Sequence, residues 1–88
     1  MVTSKKWSRE EDFHYMQRYL LFHKYLYYEK SSAIITDYHF DSAERYTKKL
    51  AKELGIKLTD LDPCNMVGFN DKSPYWEDCK KEYSRFLT

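Results

Sequence analysis

The sequence predicts an all-α protein, a compact domain of three main helices. Two observations carry this. Apolar residues recur at offsets of three, four and seven in three separate stretches, and each stretch opens on a residue pair or quartet of the kind that starts helices. At 88 residues the chain makes one domain, expected over 1–88, with burial enough for a single modest core.

The first helix is expected to start at Ser8. In Ser8-Arg9-Glu10-Glu11 the acid stands three residues after the cap, a capping box that satisfies two otherwise orphan amides. Phe13, Met16, Leu20 and Tyr27 follow on one face, and Tyr19, Phe22 and Leu26 widen it, so this helix needs cover on more than one side. Ser31 and Ser32 end the pattern. Thr36 then offers a cap before Asp37, whose charge suits the positive end of a helix dipole. Phe40, Ala43, Thr47, Leu50 and Leu54 form the second row, with Gly55 as left-handed terminator and Ile56 as its apolar follower. Residues 8–55 are therefore expected to make a helical hairpin.

Residues 56–72 contain turn formers and no sustained period, which predicts a packed connector with Met66, Val67 and Phe69 plugging the core. Over 73–88 a third helix is expected. Ser73-Pro74 supplies its cap and first residue, and Trp76, Cys79, Tyr83 and Phe86 its apolar row.

Composition narrows the function. Fifteen Lys and Arg against 14 Asp and Glu give no strong counterion-driven attraction to nucleic acid or anionic membrane. No apolar run approaches the ~20 residues of a membrane span, and MVTSKKWSREED lacks the apolar middle of a signal peptide, so the cytoplasm is the expected location. Cys64 and Cys79 are expected to be reduced and buried. Nine Tyr, five Phe and two Trp are more aromatic surface than so small a core hides easily, and some of it is expected to face a partner or ligand.

No catalytic constellation is legible. His14, His23 and His39 share no metal-ligand spacing, and the cysteines form no C-x-x-C pair. His39 could serve Cys79 as a base only through tertiary placement, and no serine stands in a nucleophile-type turn. Arg45, Lys48, Lys49 and Lys52 make a basic edge that interleaved acids reduce to a solvated helix face.

One stretch carries more. His23 to Asp41, HKYLYYEKSSAIITDYHFD, resembles the N-terminal domain Ia of bacterial NAD-dependent DNA ligases, which reads Tyr-x-Tyr-His, a short turn, then Ile-Ser or Pro-Asp-x-x-Tyr-Asp. The resemblance continues less sharply through Leu54. It implies a ligase-like helical hairpin that grips the nicotinamide mononucleotide half of NAD, with tyrosines around the nicotinamide ring and acids near the ribose and phosphate. By position it implies ligand contacts for Tyr27, Asp37 and Asp41. Tyr28 stands where the family has histidine and Phe40 where it has its second tyrosine, so a polar contact and a hydroxyl are absent from the pattern. His39 replaces the usual glutamate and is expected to spoil the second capping box. The Lys-x-Asp-Gly adenylation sequence and its domain do not occur in this chain, so ligation is not implied and the protein is expected not to be an enzyme.

The expectation with most weight is a non-catalytic interaction protein, such as a small bacteriophage or bacterial accessory factor, with an unidentified protein partner and an exposed aromatic patch. In it Tyr27 and Phe40 pack between helices and Asp37 serves the helix dipole. The alternative is a nicotinamide-nucleotide binder in which Tyr27, Tyr28, Asp37, Phe40 and Asp41 form the pocket. No cofactor is required, but nicotinamide mononucleotide or NAD is the ligand implied. A weaker alternative is a DNA-binding accessory acting through the basic edge.

Overall fold

The computed structural model describes residues 8–87. Thr88, the expected end of the last helix, lies outside them, as do residues 1–7 of the expected domain. The described chain is helical, with α1 over Arg9–Glu29, α2 over Asp37–Leu54, α3 over Trp76–Glu82 and α4 over Ser84–Leu87. The two long helices pack as a hairpin, and α3 closes the other side of α1.

Helix α1 starts as its sequence dictates. Ser8 Oγ accepts the Glu11 amide at 3.1 Å, and Glu11 Oε1 accepts the Ser8 amide at 2.9 Å. Thr36 caps α2 by accepting the His39 amide at 3.1 Å. His39 does not supply the backward bond of a capping box, but its ring Nδ1 lies 2.8 Å from the same Thr36 hydroxyl and reinforces the cap from the side. Gly55 ends α2 with a φ of 71°, and the Ile56 amide closes on the Ala51 carbonyl at 2.9 Å.

The breadth of the apolar surface on α1 has a direct structural consequence, because the core divides along it. Phe13 packs with Leu50 and Ala51 of α2, edged by Leu54, Ile56 and Leu58. Farther along, Leu21 and Phe22 pack with Met66 and Cys79, edged by Leu26, Phe69, Trp76 and Tyr83. Burying a side chain such as Phe13 or Leu21 contributes about 1.5–3 kcal/mol, so α1 is the spine on which both halves depend.

Residues 56–75 form hydrogen-bonded turns instead of a helix, fastened to α1 by polar side chains. Gln17, fully buried, donates through Nε2 to Asp62 Oδ1 at 3.0 Å and accepts the Cys64 amide on Oε1 at 3.0 Å. Of the three expected plugs, Met66 is buried and Phe69 half-buried, but Val67 is fully exposed.

The third helix departs most from expectation. Ser73 Oγ accepts the Tyr75 amide at 3.3 Å, making Ser73–Tyr75 a turn, and the helix begins only at Trp76 with no side-chain cap. It breaks at Tyr83, whose ring stacks on Phe22 at 4.1 Å between centroids and 3° between planes. The short α4 follows, and Phe86, expected on the buried row, is 61% exposed. Tertiary stacking of Tyr83 has overridden a continuous helical pattern.

Candidate functional site

The link between α1 and α2 shapes an open cleft. Ser31 takes a left-handed φ of 49°, and the Ser32 amide returns to the Leu26 carbonyl at 2.9 Å. The chain then runs without regular structure to the Thr36 cap. This reversal sets Tyr27 and Tyr28, from the last turns of α1, across from Asp37, Phe40 and Asp41 in the first turns of α2. All five residues selected from the sequence line one open cleft of about 440 Å³, a size suited to a small organic ligand.

Tyr27 and Tyr28 are each 53% exposed, with their rings edge to face at 4.7 Å between centroids. Tyr27 therefore does not pack in the interhelical core, whereas Phe40 is half-buried. Asp37 and Asp41, one turn apart, are exposed, and neither forms an ion pair among the described residues. Glu44 carries the acidic row one turn further.

Among the lining residues not selected from the sequence are two buried titratable side chains of α1. Lys24 is a buried lysine, its side chain 4% exposed, whose Nζ donates to the Met66 carbonyl at 2.7 Å and pairs with Glu44 Oε2 at 3.3 Å. The ammonium also lies 5.5 Å from the centroid of the Phe40 ring. It thereby ties the connector, which supplies Met66, Val67 and Gly68 to the cleft, to both helices. His23 is buried beside it against Tyr19 and Phe22, with ring centroids 4.4 and 5.3 Å away. Its Nδ1 has no hydrogen-bond partner among the described residues, and burial lowers its pKa from the ordinary histidine value. One signal could have found Lys24. It follows Phe13, Gln17 and Leu20 at helical spacing on a row that faces inward throughout.

The remaining candidates have structural partners. His39 bonds to Thr36, and the Cys79 thiol points to the Arg18 carbonyl at 3.6 Å, so the two do not form a nucleophile and base. Both cysteines are free and buried, and burial pushes the Cys64 thiol up to about 11 and the Cys79 thiol up to about 12, conditions that suppress thiolate formation. Among the described residues no cluster of three His, Cys, Asp or Glu is placed to hold a metal ion, and no helix is long and apolar enough to cross a membrane. Arg45, Lys48, Lys49 and Lys52 are exposed along α2. No family model matches the chain, and no curated protein or solved structure is significantly similar to it.

Proposed function

We propose that the chain is a binding module for the nicotinamide end of a pyridine nucleotide, nicotinamide mononucleotide or NAD. The observation that carries this reading is the convergence of Tyr27, Tyr28, Asp37, Phe40 and Asp41 on one open cleft. These are the positions that the resemblance to ligase domain Ia selects. The missing hydroxyl at Phe40 does not weaken ring stacking, which uses the face of the ring. Acids at the start of α2 are within the same cleft and suit ribose hydroxyls as hydrogen-bond acceptors. The role proposed is binding: both cysteines are free and buried, and the His39 ring is engaged with Thr36.

The test is an amide-shift NMR titration with nicotinamide mononucleotide and with NAD, comparing wild type with Asp41→Ala. Saturable shifts centred on Tyr27 to Asp41, weakened in the variant, are expected. Absence of shifts at millimolar ligand sinks the reading.

A second reading, an interaction protein, is favoured by Ile34 and Tyr38, 64% and 72% exposed beside the cleft's own residues in sequence. It predicts a stoichiometric protein complex lost on Ile34→Ser with Tyr38→Ser, while nucleotide leaves the protein unshifted.

A further inference from the structure

Charge in the cleft is one-sided. Asp37, Asp41 and Glu44 line it against a single ammonium, Lys24. Lys24 is already committed to Glu44 and the Met66 carbonyl, with its side chain 4% exposed, so it offers an incoming anion little. For the remaining titratable base, His23, burial lowers the pKa and so disfavours its charged form. Asp37 and Asp41 therefore set the potential, and Tyr27, Tyr28 and Phe40 bring aromatic rings to the same cleft. Aromatic faces and carboxylates both attract cations. Among the lining residues a phosphate finds neither an uncommitted cation nor a helix N-terminus clear of carboxylate, since Asp37 occupies the first position of α2.

Resting on the binding role above, we propose that the cleft selects a planar cationic ring carrying an uncharged hydroxylated group, and that a phosphate on the ligand weakens binding. The recognised portion is then a pyridinium riboside, and in a nucleotide the phosphate is left facing solvent outside the cleft.

The test compares three probes by the same NMR titration at low salt: nicotinamide riboside, nicotinamide mononucleotide and uncharged nicotinamide. The riboside is expected to bind about thirtyfold more tightly than the mononucleotide, the size of unscreened repulsion between a phosphate dianion and two carboxylates some 8 Å away in water. Salt at 0.5 M shrinks the Debye length to roughly 4 Å and is expected to close most of the gap. Asp37→Asn with Asp41→Asn is expected to close it at low salt. Both residues are exposed, and the salt series on wild type probes the same repulsion without a variant. Mononucleotide binding as tight as riboside, or riboside no tighter than uncharged nicotinamide, overturns the charge selection while leaving the pyridine-nucleotide reading standing. No shift around Tyr27 to Asp41 with any of the three overturns both.

Discussion

Lys24 has the chemistry of a surface residue and the burial of a core residue, and its ammonium is tolerated because each neighbour answers it. The Met66 carbonyl accepts its hydrogen bond, Glu44 offsets its charge, and Phe40 lies under it. Lys24→Met keeps much of the volume but leaves that carbonyl without its donor, so it should cost about 1–3 kcal/mol in urea unfolding. A neutral result would mean that water replaces the ammonium. His23 gives a pH dependence of stability. Its folded pKa lies below the ordinary value of 6.5, so the unfolded chain binds a proton first as pH falls. Above 6.5 the residue contributes no slope. Below it, folding stability should decline until the folded pKa is reached, and a wild-type melting series from pH 7.5 to 5 should lose that component in His23→Phe. Neither residue stands out in composition, because lysine and histidine read as solvated. The burial of Lys24 follows from the inward row on α1, where Phe13, Gln17, Leu20 and Lys24 fall in turn.

Helix ends are legible where they depend on a few adjacent residues. The Ser8 box and the Gly55 terminator are local chemistry, and both form where their spacing indicates. Ser8→Ala removes the Glu11 amide's acceptor and should destabilise the fold by about 1 kcal/mol. Gly55→Ala should cost a similar amount, roughly 1 kcal/mol, through the left-handed backbone alone, since an added Cβ meets nothing within 4 Å. Thermal melts of the two variants would separate these effects from packing, because both positions are exposed. The third helix differs from its expected course for the opposite reason. Its Ser73-Pro74 signal is local, but Tyr83 is placed by a stack on Phe22, far earlier in the chain, and no periodicity within the segment reports that contact. The five cleft residues are legible as a pattern. Their third wall comes from the connector, whose path depends on Lys24 and Gln17 reaching across from α1.

At the scale of the molecule, α1 joins two packed regions that otherwise have little in common, one against α2 and one against the connector and α3. The cysteines report on the second region from different elements. Cys64 belongs to the connector, its amide held by Gln17, and Cys79 to α3, its thiol against the Arg18 carbonyl. Both are fully buried. If the α1 spine makes the fold cooperative, neither thiol can meet a reagent until the whole domain opens. Labelling with a chromogenic aromatic disulfide should then be slow for both in native buffer. The two sites, distinguished by Cys64→Ala and Cys79→Ala single variants, should show opening free energies that converge on the global unfolding value as urea is added. Faster labelling of Cys79 with little urea dependence would mean that α3 and α4 peel away alone. That result would also leave Phe22 uncovered while the hairpin and its cleft persisted, and would place the stability of the candidate site in residues 8–55 instead of the full domain.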